Sequence, residues 1–590
     1  MAAILRCPRG MASSSTPARR PRSGRSGPSC TTRPLPAVAF EHQPGAAGAR
    51  LPSGYRRREP EKTVLYNIVR EHLETFLEQA AQPDGDGYPR FVEHEFRRYL
   101  DCGLLCNGFA RLRCPQCGYE RFVAFSCKGK LCPSCLNRRA ADTAAWLVDR
   151  LLPEAGYRQW VLTFPWTLRF RLAADRRLLS TLLGVFLRTL FAWQRRRGRA
   201  LGIVGGQTGA VTFVQRFGGA INLNPHLHSI VPDGLFIPEP SGGGESGERL
   251  RFEPLPPPTT AEVEELMATI ARRLLERVTA ASEADGNSFL DPALAALCEA
   301  LFFSRNAPAG KRELPALPGM EGVTPQRKPL CASLEGFSLH AAQSVAADDR
   351  EALERLLRYG LRAPFSQERL SQSPDGKVVY RLRRPWPHAQ GATHLFLEPH
   401  DFLRRLATLV SFPYSHQVRY HGVFAGRSRL RKLLPSPPPR QGEADPEALP
   451  NAERDVDDDA GESAEPAPSP THRRRVPWAR LLRRVLHIDA LSCPRCSRPG
   501  RSVAMVVLAF LTDPEVVGKI LRHLGLPTCA PALAPASPAH SPQLLLQQEA
   551  AFSDPGLGDV LPDEGDVLDR EGGEEGTSSS TPSPEIRPPP

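Results

Sequence analysis

Paired cysteines are the first feature of this sequence with a chemistry of their own. Seven of the fourteen cysteines lie between Cys102 and Cys135, and this stretch holds two Cys-x2-Cys pairs separated by fourteen residues. Each pair places two thiolates on one tight turn, and two pairs complete a tetrahedral zinc site with sulfur atoms about 2.3 Å from the ion. The spacing therefore predicts one structural zinc ion bound by four residues, namely Cys114, Cys117, Cys132 and Cys135.

The other cysteines leave their role open. Three in the same stretch are alternative ligands, part of a second site or buried thiols, namely Cys102, Cys106 and Cys127. Cys493 and Cys496 form a third Cys-x2-Cys pair far downstream. This pair is half a zinc site, which either borrows His487 or is simply a reduced turn.

Two histidines separated by one residue form a second candidate metal site. His226 and His228 lie in an alternating apolar run that is typical of a strand, where residues i and i+2 face the same way about 7 Å apart. Both imidazoles can then bind one divalent ion while Leu227 enters the core. The alternative is a pair of hydrogen-bonded strand histidines without a metal.

Two neighbouring segments favour the metal site. The apolar run over residues 160–165 predicts a strand beside the histidine strand. Gln215 stands eleven residues before His226, across a turn at Gly218 and Gly219. A hairpin closed at that turn brings the Gln215 amide oxygen to the same ion.

A tyrosine on an amphipathic helix is the candidate nucleophile. Apolar residues at helical spacing after Asp348 and Asp349 predict the helix, with Tyr359 at the margin of its apolar face beside Arg355 and Arg362. Two guanidinium groups lower the cost of forming a phenolate and hold a phosphodiester for attack. The alternative is an amphipathic tyrosine at the edge of a core.

The elements that must position these residues lie in one main domain. Its β-rich runs over 160–164, 210–216 and 226–231 alternate with helical patterns, including a helix over 262–280. The predicted division of the chain is a disordered basic arm (1–60), a helix over 61–82 plus a zinc-binding module (61–153), the main domain (157–434) with an insertion at about 286–336, an acidic Pro-rich linker (435–473), a small C-terminal module with Cys-x2-Cys (474–527) and a disordered acidic tail (528–590).

Charge is segregated along the 590 residues. The net charge is +12, but residues 436–470 and 531–590 carry −8 and −9, so that the rest carries +29. A folded part this basic suits a polyanion such as nucleic acid, since Lys and Arg displace counterions from phosphates. No apolar run approaches the roughly 18 residues that span a bilayer, which argues against a membrane protein.

In combination, these motifs resemble the IS-ninety-one-like insertion-sequence transposases, including the common-region elements, of the HUH (His-hydrophobe-His) superfamily of rolling-circle nucleases. The resemblance runs from about residue 61 to 434 and rests on the order of the zinc module and four later segments, namely 160–165, Asn-Pro-His-Leu-His at 224–228, Leu-Glu-Arg-Leu-Leu-Arg-Tyr at 353–359 and Arg-Tyr-His-Gly-Val-Phe-Ala at 419–425.

The resemblance implies an α+β fold, with a ferredoxin-like antiparallel sheet that places the histidines opposite the tyrosine helix. It implies that Tyr359 attacks single-stranded DNA, with Arg362 as a catalytic partner, and leaves a 5′-phosphotyrosine and a free 3′-OH. The catalytic ion is Mg²⁺ or Mn²⁺ on His226 and His228, with Gln215 as third ligand and His340 as the runner-up. The residues expected to contact DNA are Arg355, Arg358, Arg111 and Lys128.

The sequence departs from part of that family at one position. The two-tyrosine members carry a second tyrosine one turn earlier, where this chain has Arg355, so a one-tyrosine enzyme is expected. We therefore predict a transposase that acts in the bacterial cytoplasm, on the nucleoid, as a possible homo-oligomer. The alternatives are a plasmid replication initiator or relaxase, and a non-catalytic zinc-dependent DNA-binding protein from a decayed element.

Overall fold

Antiparallel sheets and the helices that cover them make up the protein. The computed structural model describes residues 57–80, 87–239, 249–284, 328–386, 391–438, 484, 491–498 and 501–537. The helices of this part are α1 (Val64–Ala80), α2 (Arg90–Asp101), α3 (Pro133–Arg150), α4 (Trp166–Ala174), α5 (Arg176–Ala200), α6 (Thr260–Ala284), α7 (Arg350–Gly360), α8 (Pro399–Leu409) and α9 (Pro514–His523). The strands are β1 (Phe109–Arg113), β2 (Glu120–Ala124), β3 (Tyr157–Thr163), β4 (Gly209–Phe217), β5 (Leu223–Pro232), β6 (Gly234–Glu239), β7 (Arg249–Pro254), β8 (Cys331–Leu334), β9 (Phe337–His340), β10 (Ser344–Val345), β11 (Leu370–Gln372), β12 (Val378–Trp386), β13 (Ala392–Leu397), β14 (Val418–Gly422) and β15 (Val506–Leu511).

The largest sheet holds the histidine strand at its centre. Its strand order is β14-β4-β5-β3-β9-β8, with β10 also pairing with β3, and the pairings are antiparallel. Every residue of β3 is buried, and so is every residue of β5 after Leu223. The strands predicted over 160–164, 210–216 and 226–231 are confirmed as β3, β4 and β5.

Helices cover both faces of this sheet because apolar residues alternate onto both. On one face α4, α5 and α6 pack against Leu162 and Leu227. On the other face α3 and α7 pack against Phe213 and Ile230. The histidines flank Leu227 in sequence, so they face α3 and α7.

The predicted helices are present, and their starts have identifiable caps. The patterns over 61–82 and 262–280 correspond to α1 and α6. At the start of α6, Thr259 and Glu262 form a capping box in which each side chain accepts the other's backbone N–H.

The N-terminal helices pack against the part of the chain that follows the tyrosine helix. A second core joins α1 and α2 to the three-stranded sheet β11-β12-β13 and to α8, with Phe96 and Tyr380 fully buried. The helices α1 and α2 are thus in direct contact with the part of the chain that follows the tyrosine helix.

The C-terminal segment completes the N-terminal sheet. β15 pairs with β1, which pairs with β2, so a three-stranded sheet combines two ends of the chain. Val517 and Leu521 of α9 pack against Leu105 and Phe109.

The fold is therefore a mixed α/β architecture with antiparallel sheets, as expected from the sequence. The predicted arm, insertion, linker and tail (1–60, 286–336, 435–473 and 528–590) fall largely outside the described residues. None of the helices in the described ranges combines the length and apolarity that a bilayer crossing requires.

Candidate active site and cysteine clusters

His226 and His228 lie side by side on the central strand. Their ring centroids are 4.8 Å apart, and both residues are buried, at 1% and 0% exposure. The Nε2 atoms of both rings are buried without a hydrogen-bond partner. Two unpartnered nitrogens in a closed site are costly unless a ligand completes them, so this arrangement suits a cation.

Burial and hydrogen bonding fix the protonation of His226. Its Nδ1 lies 2.7 Å from the carbonyl oxygen of Asn224, which only accepts, so Nδ1 carries the proton and Nε2 presents a lone pair. Burial lowers the pKa of His226 to about 4 and lowers the pKa of His228 well below its ordinary value. Both rings are neutral at pH 7, the form that binds metals.

Gln159 sets the tautomer of His228 and was missed from the sequence. Its side-chain Nε2 donates to Nδ1 of His228 at 3.0 Å, while its Oε1 is buried without a partner. In this orientation Nδ1 accepts and Nε2 of the neutral ring carries the proton. A 180° rotation of the amide presents Oε1 instead, which accepts a proton from Nδ1 and leaves Nε2 of His228 as a lone-pair donor for a metal. A glutamine directly before the apolar run Trp160-Val161-Leu162 was the signal that the sequence offered.

Gln215 connects the histidine strand to the tyrosine helix. It is the cross-strand partner of His226 in the β4–β5 hairpin. Its Nε2 donates to the carbonyl oxygens of Tyr359 at 3.2 Å and Gly360 at 2.8 Å. Its Oε1 is buried without a partner, so one amide oxygen is available beside the two imidazoles.

His340, the other candidate ligand, lies elsewhere on the same sheet. It pairs with Val161, which in turn pairs with His228, so it stands two strands away, about 10 Å at the backbone. Burial lowers its pKa to about 4. In the described residues, the clusters of three or more histidine, cysteine or carboxylate ligands are built from cysteines alone, so His340 does not join the histidine pair in such a cluster.

The tyrosine helix brings Tyr359 to the histidines. Asp349 caps α7 by accepting from the Ala352 N–H at 2.8 Å, as the Asp348-Asp349 pattern predicts. The rings of Tyr359 and His228 meet edge to face with centroids 6.1 Å apart. The guanidinium of Arg362 lies 4.7 Å from the centroid of the Tyr359 ring, so a cation stands beside the phenol.

The predicted DNA-contacting residues occupy different settings. Arg111 is paired through both ends of its guanidinium with Glu120, at 2.8 and 3.1 Å. Arg355 lies 3.8 Å from Glu351 one turn earlier on α7. Arg358 is half-buried in the last turn of the same helix, and Lys128 is exposed.

The cysteines form two clusters of four. The proximal cluster consists of Cys102, Cys127, Cys132 and Cys135, with Sγ–Sγ distances of 3.5 to 3.7 Å. The bridging cluster consists of Cys114, Cys117, Cys493 and Cys496. The predicted zinc site of Cys114, Cys117, Cys132 and Cys135 is therefore divided between the two clusters.

This correction has a physical reason. β1 and β2 form a hairpin that carries Cys114 and Cys117 at its turn, while Cys132 opens α3 at the other end of the module. Cys102 ends α2, beside that helix start. Two of the three surplus cysteines, Cys102 and Cys127, thus complete the proximal cluster, whereas Cys106 lies in neither.

Comparison with known proteins gives two matched ranges in this chain. The profile of a putative transposase family matches residues 209–432, and that of a transposase zinc-binding domain matches residues 68–164. Putative transposase y4qJ of Sinorhizobium fredii is 27% identical over 326 residues, which cover 54% of this chain and 71% of that protein. No solved structure matches the chain significantly. The two matched ranges do not overlap, so the chain is similar to putative transposases over one part and to a transposase zinc-binding domain over another.

Proposed function

We propose that this chain is a metal-dependent tyrosine nuclease and strand transferase that nicks and joins single-stranded DNA during rolling-circle-type transposition. The observation that carries the proposal is the contact of Tyr359 with His228, one of two adjacent, neutral, buried imidazoles whose Nε2 atoms have no partner. The transposase family supports DNA as the partner of this chain.

The donor set fits a divalent ion. Two imidazole nitrogens and one amide oxygen, from His226, His228 and Gln215, leave positions open for water and phosphate, as a catalytic site requires. Mg²⁺ or Mn²⁺ bound there would polarise the scissile phosphate. The ferredoxin-like HUH arrangement is part of this proposal, supported by the antiparallel order β4-β5-β3 with the histidines on its middle strand.

In the proposed reaction, Tyr359 is the nucleophile and Arg362 its cationic partner. The Tyr359 oxygen forms a bond to phosphorus and gives up its proton, while the bond from phosphorus to the 3′ oxygen breaks and that oxygen takes up a proton. Arg362, beside the phenol, stabilises its negative charge and holds the phosphate. Attack of a 3′-OH on the phosphotyrosine reverses these changes and joins the strands, so no nucleotide hydrolysis is needed.

Other surfaces complete the proposal. We propose that Arg358 and Lys128 contact DNA, and that Arg111 and Arg355 do so after they exchange their carboxylate partners for phosphate. Oligomerisation and action on the nucleoid in the bacterial cytoplasm stay predictions.

A covalent-capture experiment tests the function. The full chain is incubated with 5′- and 3′-labelled single-stranded element ends and Mn²⁺, and we expect a protein adduct that keeps the label on the 3′ side of the nick. Mass spectrometry should locate the nucleotide on Tyr359. Tyr359→Phe should reduce the adduct at least about 1,000-fold, since the nucleophile is lost.

A matched variant controls for general damage. Tyr414 is 95% exposed, so Tyr414→Phe should leave the adduct yield unchanged. Absence of any adduct from wild type, with DNA binding intact, would instead favour the non-catalytic DNA-binding alternative. An adduct on another residue would contradict the assignment of Tyr359.

A further inference from the structure

The bridging cluster brings together four thiols from two segments that are far apart in the sequence. Cys117 and Cys493 are 376 positions apart, yet their Sγ atoms are 3.6 Å apart, and those of Cys114 and Cys496 are 3.9 Å apart. Tetrahedral coordination at about 2.3 Å places sulfur atoms about 3.8 Å from one another. A disulfide requires about 2.05 Å, so the spacing suits a shared ion and not a covalent bond.

Both halves of the bridging cluster have the same backbone form. The Gly118 N–H donates to the Cys114 carbonyl at 3.0 Å, and the Ser497 N–H donates to the Cys493 carbonyl at 3.0 Å. Gly118 has φ +71°, which a glycine adopts without strain. Each Cys-x2-Cys thus forms a closed turn that directs two thiols to the same point.

The surrounding contacts hold the two turns face to face. Cys114 and Cys493 are buried in a small core with Leu112 and Met505. The guanidinium of Arg495 lies 5.0 Å from the centroid of the Tyr119 ring. Four thiols fill the coordination of a tetrahedral ion, so an ion at this point has no position open to substrate.

Contacts of the C-terminal segment extend well beyond the cysteines. β15 pairs along all of β1, and the Ala534 N–H donates to the Arg70 carbonyl of α1 at 3.1 Å. Farther back, Arg484 forms ion pairs with Asp149 of α3 and Glu354 of α7. The four thiols are thus one of several contacts between the described residues of the C-terminal segment and the rest of the protein.

We propose that the bridging cluster is a second structural zinc site, which fastens the C-terminal segment to the N-terminal zinc-binding domain. Cys493 and Cys496 lie outside both matched ranges, so the zinc-binding domain supplies only half of this site. The chain then holds two structural zinc ions, one in each cluster. This inference does not depend on the chemistry at Tyr359.

Zinc content of the purified full chain tests the proposal. Elemental analysis should find two zinc ions per chain in wild type and one in Cys493→Ser/Cys496→Ser. Cys331→Ser, which alters a half-buried cysteine outside both clusters, should keep two. Two zinc ions in the double variant, or only one in wild type, would overturn the proposal.

Two further measurements test the proposal even if the double cysteine variant folds poorly. Cys496→His preserves a zinc-binding group and should keep both ions, whereas Cys496→Ser should not. Hydrogen exchange in β1 should rise about tenfold or more in the double variant, because β15 is released. Unchanged exchange in β1 together with unchanged zinc would count against the fastening role.

Discussion

The histidine–tyrosine site and the bridging cluster both collect metal-binding atoms, but they differ in what is left open. At the histidine site three buried donor atoms have no partner, and an arginine and a phenol stand beside them. In the bridging cluster four thiols face one another and fill the coordination of a tetrahedral ion. In the functions that we propose, the count of protein ligands, three against four, separates a catalytic metal site from a structural one.

The largest expected effect is a loss of nicking in a His226 variant that leaves the bridging cluster unchanged. We expect His226→Ala to reduce metal-dependent nicking about 100- to 1,000-fold, because a ligand of the catalytic ion is lost. Zinc content and hydrogen exchange in β1 should stay as in wild type. His340→Gln is the matched control, since His340 is buried in the same sheet two strands away. An equal loss from the control would make His340 a ligand after all.

A smaller effect should come from Gln215, which sharpens the account of the open site. Gln215→Leu removes both the oxygen ligand and the hydrogen bonds to the end of α7, and we expect a decrease in nicking of about 10- to 100-fold with a higher Mn²⁺ requirement. Gln215→Glu keeps an oxygen donor and should need less Mn²⁺ than the leucine variant. Identical Mn²⁺ titrations for the two variants would argue against metal ligation by this residue.

The smallest effect on nicking should follow loss of the ion pair between the C-terminal segment and the tyrosine helix. Arg484 is 6% exposed and pairs with Glu354 on the tyrosine helix. Arg484→Met should lower the free energy of unfolding by about 2 kcal/mol, measured by urea denaturation, and change nicking less than about tenfold. Arg97→Met removes two ion pairs, with Glu74 and Glu93, from a side chain that is 40% exposed, and should cost less than about 1 kcal/mol. Comparable costs in both variants would contradict a buried anchor.

The comparison also explains what the sequence could predict. His226, His228 and Gln215 come from one hairpin, so alternation and one turn are enough to place them together. The amphipathic pattern likewise places Tyr359 at the margin of its helix. These are short-range features, which local periodicity encodes.

The cysteine partners were beyond the reach of the same reasoning. All Cys-x2-Cys pairs offer the same two thiols, so spacing alone favoured joining the two nearest pairs. The partner of each pair is set by where hairpin, helix and C-terminal strand meet in space. The role of Gln159 was not predicted for a related reason: it depends on the His228 ring, which lies on the neighbouring strand.

The sequence separation within the bridging cluster has a consequence for synthesis. A ribosome that has just made Cys117 still has 376 residues to add before Cys493 exists, about 20 to 75 s at ordinary elongation rates. During that interval the bridging cluster has only the two thiols of the β1–β2 hairpin, while the residues between Cys117 and Cys493 are being synthesised. A polypeptide that terminates before Cys493 lacks β15 and two of the four thiols, so its first sheet has only the strands β1 and β2.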